Sequence, residues 1–263
     1  MKLFCSGVGE KYPDISNASR AMKSSEWENC QKNGVKDIVE IIIGNDGIAF
    51  ANSTKGEKYN FTKKQLWIAM AEKGPKPKMW NEVDPSLPKT KIEILTPPPT
   101  SGTRDAWNSL VMEKGCDPKV KEANKKDCHI MREDGPVVEA GENDALIVQK
   151  LNANSDAYGI FGFSYLDSNT DKIQAAKIEG AEISLEAIQS YDYPVSRPLF
   201  FYVKKSHIGV VPGIAEFVKE FTSNSAISED GYLSDIGLVP LDGEKQSEIK
   251  TVAKNMTVMT MVK

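Results

Sequence analysis

Histidine is nearly absent from this chain: 263 residues contain only His129 and His207. Cysteine is sparse, and none of Cys5, Cys30, Cys116 and Cys128 forms a CxxC pair. So few soft ligands, at such spacings, give no zinc site, and no metal or other cofactor is expected. There is no GxSxG elbow, no Walker A loop and no HExxH, so the usual signatures of hydrolases and nucleotide-driven enzymes are missing. Gly7-Val8-Gly9 lacks the third glycine of a dinucleotide fingerprint and reads as a turn. His129 lies in a charged segment and His207 follows the Leu199–Val203 run, neither in an evident catalytic motif, and both read as surface residues. Positive charge is not in excess either. A net charge of −4 provides no field to hold nucleic acid or an anionic membrane. The Lys-rich run 119–126 is interrupted by Glu122 and has no interleaved aromatic, so it reads as a solvated segment. No stretch approaches the roughly 18 apolar residues of a membrane-spanning helix. Met1-Lys2-Leu3-Phe4-Cys5 has no apolar h-region, so it does not read as a signal peptide.

What remains is an ordinary globular mixture, 40% apolar and 27% charged, with enough Trp, Phe and Tyr for real cores. Ile38–Ile43 reads as a buried strand, Asn45-Asp46-Gly47 as a turn and Ile48–Ala51 as the next strand. Thr62 and Gln65 form a capping box with Phe61 and Leu66 at the staple positions, and Gly74-Pro75 is expected to stop that helix. Lys91–Leu95 alternates as a strand and runs into Pro97-Pro98-Pro99. A helix with Ala106, Trp107, Leu110 and Val111 on one face follows. Residues 117–143 read as a polar excursion, Ala145–Leu151 as a helix, and Tyr158–Phe163 and Leu199–Val203 as strands. Ile214, Phe217, Val218 and Phe221 share one helical face, as do Ile249, Val252, Ala253 and Met256. Alternating strands and helices indicate an α/β chain with mostly parallel sheets.

The four cysteines allow three disulfide connectivities. Cys5–Cys30 with Cys116–Cys128 is the simplest, and four buried free thiols are the alternative. Closing the Cys116–Cys128 loop would contribute about 3 kcal/mol in the chain-entropy treatment.

The most informative stretch is Thr100-Ser101-Gly102-Thr103-Arg104, where a strand ends in prolines and a small-residue turn opens into an amphipathic helix. The first helical N–H groups lack intrahelical partners and carry the positive end of the helix dipole. Gly102 permits close backbone approach, Ser101 and Thr103 add hydroxyls, and Arg104 adds a planar fork, together making an anion cup. The plain alternative is that Ser101 only caps the helix and Arg104 is a surface charge. Asn17-Ala18-Ser19-Arg20 repeats the pattern more weakly, at an expected helix start.

Cys5-Ser-Gly-Val-Gly, Asp14-Ile-Ser-Asn-Ala-Ser-Arg20, Asn45-Asp-Gly-Ile, Pro97-Pro-Pro-Thr-Ser-Gly-Thr-Arg104, Tyr158-Gly-Ile-Phe-Gly, Tyr193-Pro-Val-Ser-Arg-Pro198 and Gly231-Tyr-Leu occur in that order. In these motifs and their order the chain resembles the periplasmic phosphate-binding proteins of ABC importers, which are type 2 periplasmic binding proteins. The resemblance implies two α/β lobes joined by a two-strand hinge, with lobe 1 from 1–52 plus 200–263 and lobe 2 from 53–199. It implies inorganic phosphate as ligand, a membrane permease as partner, a periplasmic location, a monomer and no enzymatic turnover. Ser101, Gly102 and Thr103 match the family's phosphate turn, and Ser19 and Arg20 match the contact segment from the other lobe. The family's best-known members have an Asp, which accepts a proton from phosphate, where Arg20 stands. They also place their phosphate Arg where this chain has Pro97, so Arg104 is the substitute, and selection between phosphate and sulfate is left open. Family members further begin with a signal peptide and a strand-helix-strand unit that this chain lacks, so the resemblance implies a start one unit late. Binding of sulfate or molybdate, and a phosphoester hydrolase with Ser101 as nucleophile, are the rival readings.

Overall fold

The β-branched run at Ile38 does not stop at Asn45-Asp46-Gly47. In the computed structural model, which describes residues 1–141 and 143–261, one strand runs from Ile38 to Ser53. The expected turn is held extended by distant partners. Asn45 exchanges backbone hydrogen bonds with Val239 in both directions, Asp46 accepts from Arg197, and Gly47 lies against the Ile188 side chain, leaving no room for a Cβ. Tertiary pairing has overridden the local turn chemistry.

The strands in chain order are β1 (Ile15–Ala18), β2 (Ile38–Ser53), β3 (Asn60–Phe61), β4 (Ile94–Thr96) and β5 (Val137–Glu139). They continue with β6 (Tyr158–Gly162), β7 (Ile173–Ala175), β8 (Lys177–Ile178) and β9 (Ser196–Lys204). The chain divides into two compact units, Met1–Asp46 with Arg197–Lys263, and Gly47–Ser196. It passes from the first to the second within β2 and returns where β9 begins.

In the first unit β1 pairs antiparallel with β9, Ile15 opposite Val203 and Ala18 opposite Phe200. Residues of β9 alternate between two cores, as the period of two requires. Phe201 and Val203 pack with Val39, Ile41, Val218 and Ile249, whereas Phe200 and Tyr202 pack with Phe4, Met22, Cys30 and Ile38. Strands buried on both faces read as continuous apolar runs, which is why Ile38–Ile43 and Leu199–Val203 stand out in the sequence. Cys5 and Cys30 are bonded to each other within the second of these cores.

In the second unit β2 pairs antiparallel with β6 and β7, while β4 lies parallel to both β5 and β6, and β3 to β8. Pairing is therefore mixed. β2 enters this unit as a continuing strand and not through a helical crossover, so no crossover fixes its direction. Ala49 and Ala51 face a core with Ile147, Leu151 and Phe161. Phe50 faces an aromatic cluster, stacked on Tyr158 at 4.6 Å and edge-on to Phe61 at 5.4 Å.

The capping box at Thr62 and Gln65 forms with both reciprocal bonds, but its helix ends at Met70, before Gly74-Pro75. Ala71 turns extended there and bridges to Met131. β4 likewise starts at Ile94, because Lys91 and Ile92 are already engaged with Met79 and Lys78. The helix Gly102–Trp107 continues through a π-helical turn, Asn108–Met112. That wider turn rotates the buried face, so Met112 is buried and Leu110 only half-buried. The described residues of 117–143 are not simply a solvated excursion. The Cys116–Cys128 disulfide anchors them, Cys128, Met131 and Arg132 are buried, and β5 joins the sheet.

Candidate functional site

Three successive prolines cannot sustain a strand ladder, so β4 gives out at Thr96 and the chain turns into the helix at Gly102. Ser101 occupies the N-cap position with an extended backbone, but its side chain makes no capping bond. Thr62 and Ser184 do cap their helices, accepting from the backbone N–H of Gln65 and Ala187. The Ser101 hydroxyl is thus not engaged in capping.

Arg104 is not a surface charge. Its residue is 6% exposed, and Nη1 donates to Thr96 Oγ1 at 3.1 Å and to the Pro97 carbonyl at 3.0 Å. Its enclosed Nε makes no hydrogen bond among the described residues. Burial pulls the guanidinium below its ordinary value, and the carboxylate of Glu139 pushes it back up. An arginine stays charged through shifts of this kind. A cleft of about 660 Å³ opens beside it, lined in part by Pro99, Asn108, His129 and Glu139. Thr103 is half-buried and Gly102 exposed at the same turn. Ser101, Gly102, Thr103 and Arg104 therefore converge on one strand-to-helix junction, with an unpartnered donor on a buried cation.

Ser19 and Arg20 belong to the other unit and follow β1. The helix start expected there is absent: β1 occupies Ile15–Ala18, and the next helix begins at Ser24. Pairing of Asn17 and Ala18 with Phe201 and Phe200 holds the segment extended. Arg20 is fork-bonded to Glu26, with Nη1 to Oε2 and Nη2 to Oε1 both at 2.8 Å. The arginine bond holds the Glu26 carboxyl down at about 2. An anion approaching Arg20 must compete with that carboxylate.

The histidines also differ from expectation. His207 is buried, with Nδ1 2.5 Å from Asp14 Oδ1, because the turn after β9 folds back beside the residue preceding β1. His129 is half-buried, with Nε2 3.4 Å from Glu113 Oε2. Local sequence showed no partner for either, since both carboxylates are remote in the chain. Thr96 and Glu139 were missed as well; their only local signal is position at the carboxyl ends of parallel strands, where ligands of open α/β sheets bind. No cluster of three or more metal-ligating side chains occurs among the described residues.

Residues 1–225 match a family model described as the PBP superfamily domain. Among curated proteins, the chain is 27% identical over 241 residues to the phosphate-binding protein PstS of Staphylococcus saprophyticus, covering 89% of this chain and 67% of that protein. It is 26% identical over 278 residues to protein SphX of Synechocystis sp., covering 99% and 75% respectively. Among solved structures, the crystal structure of a possible phosphate binding protein from Planctomyces limnophilus superposes with a TM-score of 0.73 at 25% identity, over 97% of this chain and 83% of that one.

Proposed function

This chain belongs to the PBP superfamily, and from that premise we propose that it captures inorganic phosphate outside the cytoplasm for the membrane permease of an ABC importer. It works as a monomer without a cofactor and releases its ligand chemically unchanged. The carrying observation is the Ser101–Arg104 turn, where buried Arg104 keeps a donor without a partner. A buried cation with unused donor capacity favours an anion, because an unsatisfied buried N–H is costly. The relatives named as phosphate-binding proteins support phosphate as that anion. Ser101, Gly102, Thr103 and Arg104 are the proposed ligand residues of the second unit, and Ser19 and Arg20 those of the first.

Isothermal titration with phosphate, sulfate and molybdate tests the reading. Phosphate is expected to bind most tightly. A tighter complex with sulfate or molybdate would transfer the function to that oxyanion. The same sample should leave p-nitrophenyl phosphate intact; turnover abolished by Ser101→Ala would instead make the protein a hydrolase.

A further inference from the structure

A second cavity of the second unit, of about 310 Å³, is lined in part by Asn52, Lys55, Glu57, Tyr59, Asp156 and Tyr158. β4 and β6 run parallel, and Tyr158 stands opposite Ile94, the first residue of β4. The Ser101–Arg104 turn follows the last residue of β4, so this cavity lies at the other end of these strands. We propose that it binds a small organic ammonium ion. The proposal does not depend on the phosphate reading above.

Two almost fully buried polar side chains carry the assignment. Asn52 is 2% exposed and Tyr158 is 3% exposed. Antiparallel pairing of β2 with β6 sets Phe50 opposite Ile160 and Ala51 opposite Gly159. Continued by one residue, that register places Asn52 beside Tyr158 on the face shared with Phe50. Asn52 Nδ2 donates to the Glu57 carbonyl at 3.0 Å, which fixes the amide, and Oδ1 is left with no hydrogen bond among the described residues. The Tyr158 hydroxyl likewise has none among them. An enclosed acceptor without a donor is costly, and a molecule entering the cavity supplies one.

The charge of the lining decides what kind of donor fits. Glu57 and Asp156 are exposed at the same cavity, and neither is in a salt bridge among the described residues. Lys58 and Lys177 are already paired with Glu182. Tyr59 donates to Glu57 Oε2 at 2.5 Å, which leaves the second carboxylate oxygen open. Burial, with Tyr59, Asp156 and Glu57 nearby, pushes the Tyr158 hydroxyl well above its ordinary value. Its oxygen therefore stays neutral and able to accept. Lys55 is exposed and is the one cation lining the cavity, so two carboxylates outnumber it. An ammonium group, which only donates, matches such a set of acceptors. A hard divalent metal fits it less well. Such an ion takes roughly six to eight oxygens, and no cluster of three metal-ligating side chains occurs among the described residues.

The test is a titration of the full chain with putrescine, chosen for its two ammonium groups, followed by amide NMR at low salt and neutral pH. The Asn52 side-chain amide and the backbone amides of Glu57, Asp156 and Tyr158 should shift together and saturate. Glu57→Gln combined with Asp156→Asn should weaken binding at least about tenfold, the order set by two exposed ion pairs. Tyr158→Phe, which removes only a hydroxyl, should weaken it about threefold. The two carboxylates are exposed, so the double variant decides the matter even if Tyr158→Phe does not fold. Lys55→Ala removes a like charge and should bind more tightly; weaker binding there counts against the site. Glu216→Gln, on an exposed position of the helix Ile214–Phe221 in the first unit, should change the affinity by less than about twofold. No shift with putrescine, or shifts spread over acidic residues throughout the chain, overturns the proposal. So does a loss in Glu216→Gln equal to that in the double variant. Calcium chloride that saturates the same amides more tightly than putrescine overturns the ammonium assignment in favour of a metal ion.

Discussion

The two candidate arginines, one in each unit, are held in opposite ways. Arg104 is buried and incompletely bonded, whereas Arg20 is half in solvent and fork-bonded to Glu26. Removing one charged partner from a desolvated anion costs about 2–5 kcal/mol. Arg104→Ala is therefore expected to weaken phosphate binding at least about tenfold in calorimetry, and Arg104→Lys to recover only part of the loss, lacking the planar fork. Arg20→Ala should cost less, since its guanidinium is shared with a competing carboxylate. The ranking fails if Arg20→Ala proves the worse of the two. The Arg20–Glu26 pair also sets a pH dependence. Glu26 is depressed from its ordinary 4.5 to about 2 by the Arg20 bond. Its contribution is therefore complete above the ordinary value and lost as pH falls from about 4.5 towards 2. Acid unfolding of Glu26→Gln should lack that part of the transition, and identical acid profiles would count against the pair.

At the scale of elements, what was legible in the sequence was what neighbours along the chain decide. The Thr62–Gln65 box, the strand ending in prolines and the turn into the helix at Gly102 all depend on residues within a few positions. The straight passage of β2 through Asn45-Asp46-Gly47 depends on Val239, Arg197 and Ile188, and no local pattern announces them. The same holds for Glu139, which is placed opposite Thr96 only by the register of β4 with β5. Helix packing shows a further long-range constraint. A Cβ on Gly115 would stand 2.0 Å from the carbonyl oxygen of Lys63, a backbone atom at the start of the helix Lys63–Met70. Gly115→Ala gains about 1 kcal/mol of helix propensity but forces backbone apart, at a cost of up to about 3 kcal/mol. Urea unfolding should show a net loss of about 2 kcal/mol. An equal or higher midpoint would mean that the helical turn Glu113–Gly115 and the helix Lys63–Met70 separate freely.

For the whole molecule, nothing in composition marks the two chain ends as members of one unit. They meet only through such contacts as β1 beside β9 and Val39 beside Val258. The second unit is instead one uninterrupted stretch, Gly47–Ser196. That difference sets an order in time. As the chain emerges from a ribosome, the stretch to Ser196 already contains every residue of the second unit, while the first still lacks β9 and the helices Ile214–Phe221 and Gly243–Asn255. Domains fold as units once their residues are available. A chain ending at Ser196 is accordingly expected to resist protease across 47–196 and to be digested within 1–46; the reverse pattern would refute the order. Cys5 and Cys30 both belong to that early segment. An oxidant can therefore lock their loop while the sheet it will support is still waiting for its last strand to be made.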